Sequence, residues 1–253
     1  MIRQVIKLLV FKVWFPRCVR VCSNRVHVVS GPFRGMRYLR NKRGNFFSPK
    51  VVGTYEKELH GIIDDILQIA WAKIANIGAA EGYYAIGLAL KHRSNPEVIA
   101  YEADADGRKM IDSLARLNGI TNVAVHGRCE PGDLSAGLNS SGRKLVICDT
   151  EGYEAQLLDP GLVEGLRSAY ILVEVHEFAV PGVKELLRER FSASHTISRV
   201  QSTKRTLEDF PARSRIGERL PRALALKAMD EHRPHTMEWL WMVPKVGDEM
   251  LHS

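Results

Sequence analysis

Residues 73–90 read KIANIGAAEGYYAIGLAL, and this stretch decides the fold. An apolar run, Ile74 to Ile77, breaks at Gly78 and gives way to a helical pattern from about Glu81. The run has the length and character of a buried strand. Gly78 and Gly82 permit a tight turn with close backbone approach, and the new helix points its unpaired N–H groups at whatever lies above the strand end. A nucleotide cofactor is the natural occupant of such a crevice.

The same alternation extends outward. EVIAYE, NVAVHG, KLVICD and AYILVEV are short apolar runs without clean alternation, as expected of strands buried on both faces of a parallel sheet. Between them lie helical stretches, DADGRKMIDSLARLNG and PGVKELLRERF, the first capped by Asp104 and stopped at Asn118 and Gly119. Upstream, TYEKELHGIIDDILQIAW reads as an amphipathic helix with Leu59, Ile62, Ile63, Ile66, Leu67 and Ile69 near one stripe and Thr54 as its N-cap. Beyond Ser194, HTISRV and EWLWMVP read as strands and LPRALALKAMDEHR as a helix; before the core, HVVSGPFRGMRYL suits a hairpin turning at Gly31, Pro32 and Gly35. This order predicts an α/β fold: a Rossmann-like, doubly wound, mostly parallel sheet with helices on both faces. The domain is expected over residues 50–253, after a basic N-terminal arm over 1–49.

Charge is unevenly placed along the 253 residues. Twelve of the 36 Lys and Arg fall within the first 50 residues, where no Asp or Glu occurs; the remainder carries 24 basic against 29 acidic side chains. The arm therefore suits an anionic partner or a solubilising role, while the body is mildly acidic. The opening MIRQVIKLLVFKVWFP is interrupted by Lys7 and Lys12 and is too short to cross a bilayer, which leaves at most a weak membrane-surface contact. The four cysteines form no disulfide framework: Cys148 sits in an apolar run, and Cys18 and Cys22 lack a second pair to complete a zinc site. A reducing, cytoplasmic setting is the expectation.

The identity of the nucleotide turns on charge. The dinucleotide pattern G-x-G-x-x-G is absent, since Ala80 stands at its second glycine, and Glu81 within the loop would repel a pyrophosphate while favouring a sulfonium or ammonium group. Glu102, twenty residues past Gly82, ends the second strand where an acid accepts hydrogen bonds from ribose hydroxyls, with Ala103 beside it. After NVAVHG, GRCEPGDL brings Arg128, Cys129 or Glu130 to the same crevice, beside an adenine. The pattern favours S-adenosylmethionine over NAD.

With these residues laid out, the chain resembles class I methyltransferases, and more narrowly those of the FkbM type. NIGAAEGYYAIGLA, VIAYEADADGRKMIDSLARLNGI, LVICDTEGYEAQLLDP and ILVEVHEF carry the likeness, the third most specifically through Asp149, Thr150, Glu151, Gly152, Tyr153, Glu154, Leu157 and Leu158. The resemblance spans about residues 50–200. It implies a seven-stranded sheet, S-adenosylmethionine as donor, often a hydroxyl acceptor, and a position near the cofactor for the helix carrying Tyr55 and Glu58. Asn76 stands where many such enzymes have an acid; it can still accept from the donor's amine, without charge assistance.

Methyl transfer needs an aligned acceptor and, for a hydroxyl, a base. Asp149 and Glu151 follow one strand; Glu174, His176 and Glu177 end the next. His176 is the expected base, with Asp149 and Glu151 as its catalytic neighbours. The same three are weighed as ligands of a divalent metal, but no tight ligand spacing marks them, and no metal is expected. The expected reaction is O-methylation of a small-molecule, glycan or lipid-linked hydroxyl. The alternatives are a nucleic-acid methyltransferase using the basic arm, or a non-catalytic nucleotide-binding protein of the same fold. Oligomeric state is not readable.

Overall fold

Strand β3 (Lys73–Ile77) is an interior strand of a seven-stranded sheet. The computed structural model describes residues 26–39, 47–211 and 222–245. Most of the N-terminal arm, including the MIRQVIKLLVFKVWFP segment, Cys18 and Cys22, lies outside the described residues.

Two compact units divide the chain. The first takes residues 1–57 and 204–232. In it β1 (Val26–His27) and β2 (Arg37–Tyr38) pair antiparallel, and the chain between them turns where Gly31 and Gly35 both hold positive φ. Helix α1 (Phe47–Val52) contributes Val52 to a small apolar cluster with Phe210, Ala225, Ala228 and Met229. The Arg205 guanidinium lies 2.6 Å from the buried Glu231 carboxylate, whose Oε1 also accepts the backbone N–H of Glu56.

The second unit, residues 58–203 and 233–253, holds the main sheet. In chain order its elements begin with α2 (His60–Ile66), β3, α3 (Tyr83–Lys91), β4 (Glu97–Tyr101) and α4 (Ala105–Asn118). Then come β5 (Val123–His126), α5 (Pro131–Leu138), β6 (Lys144–Cys148), α6 (Glu154–Leu157) and β7 (Tyr170–Val175). Helix α7 (Val183–Phe191), β8 (His195–Gln201) and β9 (Glu238–Pro244) complete it; α8 (Arg222–Met229) belongs to the first unit.

The seven strands lie in the order β5-β4-β3-β6-β7-β9-β8. Pairings from β5 to β7 are parallel, and β9 runs antiparallel between β7 and β8. The doubly wound, mostly parallel sheet expected from the sequence is present. Strands β3, β6 and β7 are buried on both faces, as their unbroken apolar runs require; each Ile, Leu or Val so buried is worth about 1.5–3 kcal/mol. NVAVHG differs. As edge strand β5 it alternates half-buried and exposed residues.

The caps explain the helix limits. Asp104 accepts the N–H of Gly107 at 2.9 Å to start α4, and Gly119 ends it in the left-handed region at φ 70°. The helix expected from Thr54 is corrected: α1 ends at Val52, Gly53 and Glu56 take positive φ, and α2 begins only at His60. Two consecutive interruptions of right-handed backbone prevent one continuous helix, so Thr54 caps nothing and its buried Oγ1 has no hydrogen-bond partner. Within α2 and its approach, Leu59, Ile63 and Ile66 are the buried members of the stripe. Among the described residues no helix is long and apolar enough to cross a membrane.

Candidate active site

Register creates the site. Ile77, the last residue of β3, pairs with Tyr101 of β4 on one side and Cys148 of β6 on the other. The three strands therefore stop at one level, and the next residues, Gly78, Glu102 and Asp149, emerge side by side. Strand order reverses here, between β3 and β6, which is where open parallel sheets bind ligands. A cavity of about 350 Å³ opens at this edge, at the small end of the usual range for ligand pockets.

Of the expected site residues, Gly78, Ala80, Glu102, Ala103, Arg128, Cys129, Asp149 and Glu151 line the cavity. Glu81 and Gly82 do not, although Gly82 caps α3 with φ 95°. Tyr55 lies in the first unit, with the Lys50 ammonium 4.6 Å above its ring. Asn76 is buried in β3, and its Oδ1 is without a hydrogen-bond partner.

Close packing dictates the loop. A Cβ at Gly78 would stand 1.6 Å from the carbonyl oxygen of Asp149, so no other residue fits, even apart from its φ of 73°. Glu102 braces the turn: Oε2 accepts the N–H of Ala80 at 2.6 Å and Oε1 that of Asp104 at 2.7 Å. A carboxylate has about four acceptor positions, so two remain on a residue that lines the cavity. Gly107, which the sequence reading passed over, makes room for that carboxylate, because a Cβ there would lie 2.7 Å from Glu102 Cγ. A glycine inside the first turn of a helix was the signal for it.

Arg128 and Tyr153 line the cavity, and Glu130 ties the two together. The Arg128 guanidinium lies 4.2 Å over the Tyr153 ring and 3.0 Å from Glu130, and the Tyr153 hydroxyl donates to Glu130 at 2.6 Å. Cys129 is buried, and burial, helped by Asp133 and Glu130, pushes its thiol up to about 12. It behaves as a small apolar wall rather than a nucleophile.

Beyond the strand ends, β7 continues two residues past the Cys148–Val173 pair, which carries His176 behind Asp149 and Glu151. His176 is 1% exposed. Its Nε2 stands 3.5 Å from both Asp149 Oδ1 and Glu151 Oε2, and its Nδ1 lies 2.7 Å from Glu154 Oε1. Burial disfavours the imidazolium, but the Glu154 hydrogen bond and the charges of Glu154, Asp149 and Glu151 outweigh it and raise the pKa. Glu154 answers in kind: burial would raise its pKa, but the bond to His176 and N–H donors, that of Gly152 among them, hold it low. In the sequence Glu154 stands only as part of the DTEGYE run, with nothing to mark a role. Its separation of 22 residues from His176 hid the pairing.

The other two candidate bases have structural duties. Glu174 pairs with Arg233 at 3.0 Å. Glu177 accepts the N–H groups of Gly182 and Lys184 and so caps α7. Buried His195 bonds Ala169 and Ser194 far along the sheet.

No family model matches the sequence, and no curated protein does. Solved structures do. An O-methyltransferase from Streptomyces achromogenes involved in tomaymycin synthesis, in complex with SAM, is 13% identical, with 76% of this chain and 81% of that one covered at a TM-score of 0.47. An O-methyltransferase from Bacillus cereus in complex with SAH is 13% identical over 74% and 80%, at 0.48. A precorrin-6y C5,15-methyltransferase from Geobacter metallireducens is 11% identical over 82% and 94%, at 0.49. What this chain does is therefore read from its own site.

Proposed function

We propose that the chain is an S-adenosylmethionine-dependent methyltransferase of the FkbM type, acting on the hydroxyl of a small-molecule, glycan or lipid-linked acceptor in the cytoplasm. One observation carries the reading: among the described residues, the charged side chains lining the cavity are Glu102, Asp149 and Glu151 against Arg128. Three carboxylates to one cation favour a ligand bearing ammonium and sulfonium groups and oppose a pyrophosphate. Glu81 does not line the cavity, so the preference comes from these three carboxylates instead.

The residues present fit that donor. Glu102 offers its remaining acceptor positions to the ribose hydroxyls. The unpartnered Asn76 Oδ1, one residue behind the lining Ile77, is an acceptor suited to the amino group. Arg128, Cys129 and Tyr153 border the adenine. Bound there, S-adenosylmethionine supplies a methyl group already activated on its sulfonium sulfur.

For the acceptor, the chain removes a proton and aligns an oxygen. His176 Nε2 accepts the hydroxyl proton, and the imidazolium so formed is held by Glu154 on one side and Asp149 and Glu151 on the other. A donor held by Glu102, Asn76 and Arg128 would supply the methyl group that replaces this proton on the oxygen.

Calorimetric titration with S-adenosylmethionine and, separately, NAD tests the reading. Binding of the first alone, weakened in Glu102→Gln, is the expected result. No binding of S-adenosylmethionine, or tighter binding of NAD, overturns it.

A further inference from the structure

The Asp149–Glu151–His176 cluster has a geometry that proton transfer alone does not explain. One atom from each residue lies within 4.8 Å of the other two. The Nε2 separations of 3.5 Å exceed a normal N–H···O hydrogen bond, which is about 2.7–3.2 Å. They approach the spacing of two donors that share one ion. Donors each about 2.1 Å from a metal stand roughly 3.0 Å apart in octahedral and 3.4 Å apart in tetrahedral coordination.

The orientation of the ring points the same way. Glu154 Oε1 lies 2.7 Å from His176 Nδ1, so the buried ring is held with its other nitrogen toward the two carboxylates. Nε2, Asp149 Oδ1 and Glu151 Oε2 are thereby brought together at one place. A buried carboxylate fixing one nitrogen of a histidine while the other faces further ligands is the support that metal-bound histidines have. Asp149 is partly and Glu151 largely open to solvent, at 40% and 79% side-chain exposure, which gives an ion a way in.

We infer that Asp149, Glu151 and His176 Nε2 bind one divalent transition-metal ion beside the cavity, with Glu154 as the positioning residue. The mixed donor set of two carboxylates and an imidazole suits Mn²⁺ or Zn²⁺ better than Mg²⁺ or Ca²⁺. With the ion in place, His176 is a ligand rather than a base, and an acceptor hydroxyl bound to the ion loses its proton more readily to solvent. The inference concerns the acceptor side of the proposed methyltransferase, but metal binding itself does not depend on the donor's identity.

Mn²⁺ titrated into chelator-treated full-length protein, read by the electron paramagnetic resonance signal of free Mn²⁺, is the test. One saturable site per chain is expected, at least tenfold weaker in Glu151→Gln. That side chain is largely exposed, so the variant should unfold at the wild-type temperature, which a thermal melt checks. No saturable site at millimolar Mn²⁺, or equal binding in wild type and Glu151→Gln, overturns the inference. Either result leaves the calorimetric test of S-adenosylmethionine untouched and returns the proton to His176.

Discussion

His176 Nδ1 and Glu154 Oε1 lie 2.7 Å apart, with both side chains buried. Glu154 Oε1 also accepts the N–H groups of Thr150 and Gly152, so one oxygen folds the turn after β6 and orients the imidazole that ends β7. The pair makes the stability of the unit depend on pH. The Glu154 pKa is lowered on folding, so its contribution is present above about 4.3 and is lost as pH falls through the lower folded value. The His176 pKa is raised, so its contribution is full below about 6.5 and is lost as pH rises through the folded value. With chelator present, Glu154→Gln should cost about 3 kcal/mol near pH 6, since it leaves a buried partner unpaired, and less near pH 9. Urea unfolding at several pH values measures this. A cost independent of pH would mean that the two groups are not an ion pair.

Gly78→Ala should destabilise the chain by about 3 kcal/mol or more, because its Cβ can only be accommodated by separating β3 from the carbonyl after β6. Thermal melting with S-adenosylmethionine present should show no ligand-induced rise. A variant as stable as wild type would disprove the close approach of Gly78 to Asp149.

Gly107→Ala separates binding from stability. Alanine favours a helix interior by about 1 kcal/mol over glycine, which partly offsets the crowding, so the fold should survive. The Cβ nevertheless displaces Glu102 and with it the brace on Ala80. Donor affinity should drop about tenfold or more by calorimetry while the melting temperature shifts little. Unchanged affinity would remove Glu102 from the binding surface.

Asn76→Asp replaces an uncharged acceptor by a carboxylate. The ligand-free protein should lose at least about 2 kcal/mol, because the group is buried, while affinity for an amine-bearing donor should rise about tenfold through charge assistance. Parallel chemical denaturation and calorimetry read the two effects. Weaker binding in the variant would place the donor's amine elsewhere.

Much of this was legible in the chain. The unbroken apolar runs of β3, β4, β6 and β7, the Asp104 cap and the Gly119 stop follow from local rules of burial and backbone conformation, and these set the order of elements. Glycine and charge also marked the Gly78 turn and Glu102. The break in the helix near Thr54 is not legible in the chain, because nothing local shows that Glu56, a non-glycine residue, takes positive φ. Such a conformation is imposed by surroundings rather than by the residue.

The sequence by itself determined which segments become strands, which turns carry glycine, and which carboxylates stand at strand ends. These depend on neighbours along the chain, and periodicity reports them. Tertiary structure alone decided that Ile77, Tyr101 and Cys148 share a level and that Glu102, Asp149 and Glu151 line the cavity while Glu81 does not. It also decided that Glu154 meets His176. Those facts are set by strand register and by packing between residues far apart in the chain. A shift of one residue in the pairing of β6 and β7 would have parted the carboxylates from the imidazole without changing any local preference.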